Sequence, residues 1–293
     1  MSEQTLLHPI SLATRGGMAR RGMHWSTRAA LVVVAALAVT ALLGPGLAPH
    51  HPEAVDLSQQ LAPASAAHWL GADHLGRDIF SRIVAGTRVS LGAVAASMAL
   101  IITIGLIAGG TAAFAGGRVD QAIMRVTDVF LTFPTTVMAL FMIGVLGAGL
   151  TNVIIAIVIT HWAWYARMTR GIALSLRNRD FILAAKVAGA SPVSIFIRHF
   201  MPALMAQLAI LASLDIGHIL LHISGLSFLG LGVTPPAAEW GVMMADARQF
   251  IWTDPMLMFW PGLALFTAVL ACNTLGDALR DRLDPTLSRE FAH

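Results

Sequence analysis

The sequence has little charge. Only 12% of its 293 residues are Asp, Glu, Lys or Arg, against about 25% in an average soluble domain. Hydrophobic residues make up 56% of the chain, so there are too few polar side chains to cover a water-soluble globule of this size. The composition therefore excludes a soluble globular protein and indicates an integral membrane protein.

Cysteine and lysine are almost absent, and each absence excludes a class of protein. The one cysteine, Cys272, excludes an internal disulfide and a zinc site built from paired cysteines, and it lies in an apolar run that favours a packing role. The one lysine, Lys186, follows an alanine, so the chain has no Walker A loop for ATP. HExxH and GxSxG motifs are also missing. We therefore expect a non-catalytic conduit, receptor or anchor.

Five charge-free spans and a sixth span whose one charged residue is Asp215 are predicted to cross the membrane as helices, because a charged side chain near the bilayer centre costs about 2.5–3.5 kcal/mol. The run at 129–166 has 38 residues and would form a helix about 57 Å long, far beyond a hydrocarbon core of about 30 Å. Three glycines within 144–149 predict a turn there. The predicted spans are residues 29–48, 89–117, 129 to about 144, about 149–166, 203–226 and 257–276.

The distribution of basic residues between the loops predicts the orientation. One alternate set of loops and tails holds 15 Lys and Arg residues, and the other set holds 4. The set with 15 contains both ends of the chain, which are therefore predicted to be cytoplasmic. Because the arginines are dispersed between apolar runs, we expect membrane lipid and no nucleic acid as a partner.

The predicted organisation is one membrane domain with short tails. A GxxxG pattern at Gly105 and Gly109 predicts a smooth face on which another helix packs closely. Residues 77–88 are predicted to form a short amphipathic helix at the outer interface. In order, the parts are a cytoplasmic tail (1–28), a first spanning helix (29–48), an extracytoplasmic segment (49–88), a transmembrane domain (89–276) and a cytoplasmic tail (277–293).

The cytoplasmic loop between spans four and five has two helix signatures separated by a glycine. Asp180 is predicted to cap a first helix that runs through Ala188, and Gly189 to end that helix in a left-handed conformation. Ser191 is predicted to cap the second helix, with Pro192 in its first turn. We expect the membrane surface or another protein to cover the apolar residues of this loop, which are Phe181, Ile182, Val187, Val193, Ile195, Phe196 and Ile197.

Residues 184–189, followed by Met201 and Pro202, resemble the EAA loop of ABC importer permeases, with Leu183 at the position of the pattern's glutamate and Met201 at its final leucine. The resemblance implies an all-α, MetI-like permease fold in which a coupling loop at 177–202 contacts an ATPase subunit. The coupling residues that it implies are Ala184, Ala185, Lys186, Gly189, Ala190, Ser191, Phe196 and Pro202.

Residues 71–78, 227–232, 239–241 and 276–281 are similar to the C-type permeases of the dipeptide, oligopeptide and nickel ABC importers. This resemblance implies a non-catalytic, multi-pass subunit of an ATP-driven importer in a bacterial inner membrane. The implied partners are a B-type permease that forms a heterodimer with this chain, two ATPase subunits and an extracytoplasmic substrate-binding protein. No cofactor is expected in this chain, since ATP and magnesium would bind to the ATPase subunits.

Ionisable residues inside the predicted spans are candidates for a substrate path. Asp215, His218 and His222 fall on one face of span five, and His161 belongs to span four. Imidazole and carboxylate groups are suitable ligands for nickel, zinc or copper, and His218 and His222 are the candidate metal ligands. The alternative is structural, because such histidines also bond neighbouring helices and Asp215 could pair with His218.

Residues 161–167 and 214–218 are more similar to the nickel permeases of this family than to its peptide permeases. That resemblance implies nickel, free or chelated, as the substrate. Import of peptides or of a metallophore–metal complex is the alternative within the same class, and an ion channel or sensor without an ATPase is the alternative from another class. The extracytoplasmic histidines are expected to be solvated, with reception of cargo from a binding protein as the alternative; they are His50, His51, His68 and His74.

Overall fold

The computed structural model describes residues 24–283, and this part of the chain is all-α. The predicted tails lie partly outside the described residues, at 1–23 and 284–293. A π-helical turn, Phe196–Phe200, joins α7 to α8. The helices are α1 (Trp25–Leu47), α2 (Ile79–Ala115), α3 (Gly117–Thr132), α4 (Thr135–Leu146), α5 (Leu150–Arg177), α6 (Asp180–Val187), α7 (Pro192–Ile195), α8 (Met201–Phe228), α9 (Trp240–Ala247) and α10 (Met256–Leu283).

Within the described residues, four helices are long and apolar enough to cross a membrane. They are Trp25–Gly44, Ile79–Ala115, Val193–Phe228 and Met256–Arg282, which contain the predicted spans one, two, five and six almost completely. The bent pair α3 and α4 is a fifth candidate. Helix α5 has 28 residues, so at about 42 Å it is long enough to span, but polar residues such as Asn152 and His161 interrupt its apolar character.

The predicted turn between spans three and four is confirmed. Residues 147–149 separate α4 from α5, and Gly147 and Gly149 have φ values of 90° and 141°. The prediction of one helix from 129 to about 144 is wrong, because the chain bends by 93° between α3 and α4. Pro134 lies at this bend and has no amide hydrogen to continue a helix. Helix α4 alone has 12 residues and covers about 18 Å.

Helix α2 has 37 residues and a length of about 55 Å, so it extends well beyond a hydrocarbon core of about 30 Å. The predicted separate interfacial helix at 77–88 is wrong. Asp78 caps α2 by accepting a hydrogen bond from the Ser81 amide at 2.8 Å, and the helix continues to Ala115 without a break. Arg77 and Arg82 are each only 1% exposed, so the start of α2 packs against other parts of the protein.

Helix α2 packs along α5 at the centre of the bundle. A Cβ atom added to Gly105 would lie 2.5 Å from the Cβ atom of Tyr165, and one added to Gly109 would overlap the carbonyl oxygen of Ala166. The close packing predicted from the GxxxG pattern is confirmed. The apolar core that surrounds this contact joins α2 and α5 to α8 and α10.

A buried carboxylate joins α2, α8 and α9. Glu239 has no exposed surface and caps α9 by accepting a hydrogen bond from the Val242 amide at 3.0 Å. Its other oxygen accepts from the hydroxyls of Ser90 on α2, at 3.0 Å, and Ser224 on α8, at 3.3 Å. The stretch at 239–241 therefore has a structural function, because three donors compensate the burial of this side chain.

We expect Gly109→Ala to lower the thermal unfolding temperature of the detergent-solubilised protein by several degrees, because the new methyl group overlaps the Ala166 carbonyl and overpacking costs about 1–3 kcal/mol. The matched control is Gly110→Ala, where an added Cβ atom has no neighbour within 4 Å in the described part of the chain. Alanine also has the better helix propensity, so the control should unfold at the wild-type temperature or above. Equal unfolding temperatures for the two variants would contradict the close approach of α2 and α5.

Candidate functional site

Polar side chains from α5 and α8 meet around Asp215. His161 Nε2 lies 3.0 Å from Asp215 Oδ2, and the Tyr165 hydroxyl donates to the same oxygen at 3.2 Å. His218 Nδ1 lies 3.7 Å from the other oxygen, Oδ1. The structure therefore brings together three of the four predicted substrate-path residues, across a helix–helix contact that joins residues more than 50 positions apart in the sequence.

The Asp215 cluster is buried on one side and open on the other. The side chains of Asp215 and His161 are 12% and 16% exposed, whereas that of His218 is 67% exposed. An open carboxylate–imidazole arrangement can bind a cation, because carboxylate oxygens and imidazole nitrogens are both metal ligands.

His222 does not reach this cluster. Its Nδ1 donates to the backbone carbonyl of His218 at 2.8 Å, one turn earlier on the same helix. The alternative from the sequence was a structural pairing of Asp215 with His218. In the structure, Asp215 lies closer to His161, at 3.0 Å, than to His218, at 3.7 Å. His218 and His222, the predicted metal ligands, are four residues apart, which places them on one face of α8.

Tyr165 is a site residue that sequence reasoning missed. It is fully buried, and its hydroxyl is a second donor to Asp215. The available signal was its spacing, because Tyr165 follows His161 by four residues and therefore shares its helical face.

The predicted coupling segment, residues 177–202, turns at Gly189. The Gly189 amide donates to the Lys186 carbonyl at 3.0 Å, and the Ala190 amide donates to the Ala185 carbonyl at 3.1 Å. With φ at +79° for Gly189, this pair of bonds is a Schellman motif. The predicted left-handed end of the first helix is confirmed, and it depends on glycine, since side chains with a Cβ atom rarely adopt this backbone conformation.

Of the two predicted helix caps, at Asp180 and Ser191, the cap at Ser191 is confirmed. The Ser191 hydroxyl accepts from the Ser194 amide at 3.2 Å, and α7 begins at Pro192 as predicted. The predicted cap at Asp180 is wrong, because Arg179 holds the N-cap position and Asp180 is already the first helical residue. In this first turn the carboxylate can still stabilise the partial positive charge of the helix N-terminus.

The coupling segment has one face packed on the bundle and one face uncovered. Ile182 and Ile195 are buried, in a small core that they share with Phe200 and Leu204. Val187 is 90% exposed and Val193 is 67% exposed. The helices of this chain thus cover only part of the predicted apolar set. The members of that set that are about half exposed or more are Phe181, Val187, Val193 and Ile197, and Leu183 beside them is 45% exposed.

A cavity of about 370 Å³ lies between the coupling segment and the bundle. It is lined by Ala113, Phe114, Ala173, Arg177, Lys186, Ala190, Ile195 and Phe200. Nearby, Arg170 on α5 makes two hydrogen bonds to the Asp120 carboxylate of α3, at 2.5 and 2.6 Å. Arg167 on α5 also donates to the Asp128 carboxylate of α3. The two pairs connect α3 to the end of α5 that leads into the coupling segment.

A buried ionic network surrounds the start of α2, at the end of the bundle that carries α9. Arg77 donates to Asp73 at 2.6 Å and to Asp246 at 3.3 Å. Arg82 donates to the backbone carbonyls of Pro52 and Pro236, at 3.1 and 3.2 Å. These bonds connect the segment before α2 to the loop between α8 and α9 and to α9 itself.

The prediction that the four histidines of residues 49–88 are solvated is wrong for His68 and His74, which are partly buried, whereas His50 and His51 are exposed. His68 Nδ1 lies 2.9 Å from Asp78 Oδ1, and its side chain is 15% exposed. His50 lies next to it, with 4.8 Å between the ring centroids. His74 stacks on Phe250 with ring centroids 5.3 Å apart, whereas His51 is exposed.

Residues 101–289 match the model of a protein family described as the binding-protein-dependent transport system inner membrane component. The chain is 59% identical over 270 residues to the nickel transport system permease protein NikC of Escherichia coli, covering 92% of this chain and 98% of that protein. It is 42% identical over 223 residues to the glutathione transport system permease protein GsiD of Pectobacterium atrosepticum, covering 76% and 74%. The dipeptide transport system permease protein DppC of Alkalihalophilus pseudofirmus is 39% identical over 261 residues, covering 88% and 84%.

Among solved structures, the fold is similar to that of a chain of the MetNI methionine ABC transporter in inward-facing conformations. The TM-score is 0.56 at 18% sequence identity, covering 70% of this chain and 98% of that chain. The MetI-like permease fold that the EAA-like loop implied is therefore confirmed. With more than half of its length matched by the family model and with relatives well above 30% identity, the chain belongs to the inner membrane components of binding-protein-dependent transport systems.

Proposed function

We propose that this chain is the membrane-spanning permease subunit of an ATP-driven importer that carries nickel, free or chelated, across a bacterial inner membrane. The observation that carries the proposal is the Asp215 cluster, in which His161 and His218 face the two oxygens of one carboxylate at an open face of the bundle. Nitrogen and oxygen ligands of this kind suit a divalent nickel ion. The 59% identity to a nickel permease supports the same substrate.

The route runs along the open face of α5 and α8. An ionisable residue in a membrane-spanning helix is costly unless it faces a polar cavity or a partner, and His218 is exposed on the isolated chain. A homologous B-type permease would lie opposite this face and close the route as a heterodimer. Asp215, His161 and His218 would then line the space between the two subunits, with His222 one turn further along.

Six crossings with both termini in the cytoplasm fit this function. We assign the crossings to α1, α2, the pair α3 and α4, α5, α8 and α10. The assignment is supported by the excess of basic residues in one set of loops, 15 against 4. It places the coupling segment and the Arg170–Asp120 pair on the cytoplasmic side, and the Arg77 network on the outer side.

The coupling segment would dock in one of two ATPase subunits, and the B-type permease would contact the other. Its uncovered apolar residues support a protein partner, because Val187 is 90% exposed in a loop that would otherwise end in water. ATP and magnesium would bind to the ATPase subunits, and no catalytic residue is assigned to this chain. Closure of the ATPases on ATP would move the segments around Gly189 and rock the helices, so that the cavity opens alternately to the two sides. An extracytoplasmic binding protein would deliver the substrate.

Import of peptides or of a metallophore complex is the second candidate, favoured by the glutathione and dipeptide permeases among the relatives. A channel or sensor without an ATPase is the third. Transport by the purified importer in proteoliposomes separates the three. We expect ATP-dependent uptake of nickel or nickel–histidine, no uptake of a dipeptide, and no nickel flux without ATP.

In the same assay, we expect His161→Ala to lower nickel uptake at subsaturating nickel by about tenfold, equivalent to about 1.4 kcal/mol, because it removes the imidazole nearest to Asp215. The matched control is His222→Ala, which removes a ring that bonds only its own helix and should change uptake less than about twofold. Equal uptake by both variants would remove the Asp215 cluster from the route. Uptake of the dipeptide without nickel would instead favour the peptide alternative.

We expect Gly189→Val to reduce the amount of nickel imported per ATP hydrolysed, because a β-branched residue is strained at φ +79° and would reshape the segment that contacts the ATPase. Gly189→Asn is the matched control, since asparagine adopts the left-handed conformation more readily and should keep most of the coupling. Uptake and phosphate release are measured together on the reconstituted importer. An unchanged ratio in Gly189→Val would refute the coupling function of this turn.

A further inference from the structure

The extracytoplasmic segment holds two histidines against the first turn of α2. The His50 amide donates to the Ser81 hydroxyl at 3.1 Å. The His68 amide donates to the Ser65 hydroxyl at 3.0 Å, and its carbonyl accepts from the amides of Ser65, at 2.8 Å, and Gly71, at 3.0 Å. Both residues are therefore positioned by backbone contacts, which leave their imidazole rings available for a ligand.

The two rings converge on the Asp78 carboxylate. His68 Nδ1 lies 2.9 Å from Asp78 Oδ1, and His50 Nδ1 lies 3.8 Å from Oδ2. Among the residues that the structure describes, these three form the one group of three or more His, Cys, Asp or Glu whose candidate ligand atoms all lie within 4.8 Å of one another.

This spacing is close to that of ligands around one metal ion. With bonds of about 2.1 Å, adjacent octahedral ligands are about 3.0 Å apart and opposite ones about 4.2 Å apart. His68 and Asp78 already have the adjacent spacing. The His50 side chain is 40% exposed. A movement of about 1 Å or less would bring its ring nitrogen to the spacing expected around one ion with bonds of about 2.1 Å.

The charges around Asp78 also favour a cation. Its carboxylate is only 2% exposed, and within residues 24–283 its ionic contacts are the two imidazoles. The neighbouring carboxylates Asp73 and Asp246 both pair with Arg77. The N-terminus of α2 stabilises one oxygen of Asp78 through the Ser81 amide, and the other oxygen faces His68, so no arginine or lysine among the described residues pairs with this carboxylate.

A structural hydrogen bond accounts for only part of this arrangement. It explains His68, which can donate to Asp78 at 2.9 Å. It does not explain His50, because 3.8 Å is too long for a hydrogen bond, although its ring lies beside His68 with 4.8 Å between the centroids. A shared ligand would account for both rings.

We propose that His50, His68 and Asp78 bind a divalent transition-metal ion at the outer face of the protein. Two imidazoles and a carboxylate suit nickel, cobalt or zinc, and three protein ligands leave positions open for water or for a group that delivers the ion. The identification of the ion as nickel rests on the proposed function, whereas the site itself rests on the geometry.

The outer site is distinct from the Asp215 cluster. Asp78 caps the outer end of α2, and Gly105, which contacts Tyr165 beside Asp215, lies about 40 Å further along the same helix. On the proposed topology, an ion from outside would reach the outer site first. The site would receive the ion before it enters the route between the helices.

The test is the number of Ni²⁺ ions bound by the purified importer complex, measured by equilibrium dialysis against NiCl₂. We expect the variant His50→Ala/His68→Ala to lose one bound ion per copy of this chain. The matched control is His51→Ala/His74→Ala, which removes two histidines of the same segment from outside the group and should bind as the wild type does. Asp78→Asn keeps a capping side chain at the start of α2 and should weaken the binding at this site by about tenfold or more.

Folding of each variant is checked by thermal unfolding without metal. If the double variant does not assemble, the single variant His50→Ala decides the test. This variant should fold, because the His50 ring is partly exposed and makes no hydrogen bond to Asp78. Wild-type stoichiometry and affinity in the assembled histidine variants would overturn the proposal. A wild-type complex that binds this ion but accumulates no nickel with ATP would refute the proposed function and leave the site intact. Nickel accumulation with ATP by a complex in which no bound ion depends on these histidines would refute the outer site and leave the proposed function intact.

Discussion

The close approach of α2 and α5 is the contact on which both candidate sites depend. Lipid gives little hydrophobic driving force between helices, so two spans associate through tight van der Waals packing, and Gly105 and Gly109 provide the necessary flat surface. This contact fixes Tyr165 and therefore the height of His161, which meets Asp215 from α8. The other end of the same long helix carries Asp78. One rigid helix pair thus sets the position of the inner cluster and of the outer one.

Carboxylates near the ends of the helices and the carboxylate in the middle of α8 have different partners. Near the ends of the helices, carboxylates pair with arginines, as Asp73 does with Arg77 and Asp120 with Arg170. In the middle, Asp215 is bonded to a histidine and a tyrosine, which carry no permanent positive charge. Permanent ion pairs suit fixed structure, because breaking a buried pair leaves an uncompensated charge. A carboxylate whose partners carry no permanent positive charge remains able to attract a cation, as the proposed import of nickel requires.

The sequence predicted the features that depend on neighbouring residues. The apolar runs located most of the long helices, the glycines at 147–149 marked a break, and Gly189 marked the turn of the coupling segment. The interfacial helix at 77–88 was wrong because the burial of Arg77 depends on Asp246, which lies 169 residues away. Distance in the sequence likewise hid the partnership of Tyr165 with Asp215. The convergence of His50 and His68 on Asp78 needed the folded outer segment, since each residue alone resembles a solvated loop residue.

The sharp bend before α4 determines what lipid or protein can surround this corner of the molecule. On the proposed topology, in which α3 and α4 form one crossing, α4 covers about 18 Å with its twelve residues and α3 leaves it at 93°. Roughly 12 Å of a standard hydrocarbon layer then has no helix of this segment beside it. Lipid tails cannot satisfy a bare backbone end. The shortfall must be filled by a neighbouring subunit or by acyl chains that compress locally, which makes this corner the place where membrane thickness acts most directly on the protein.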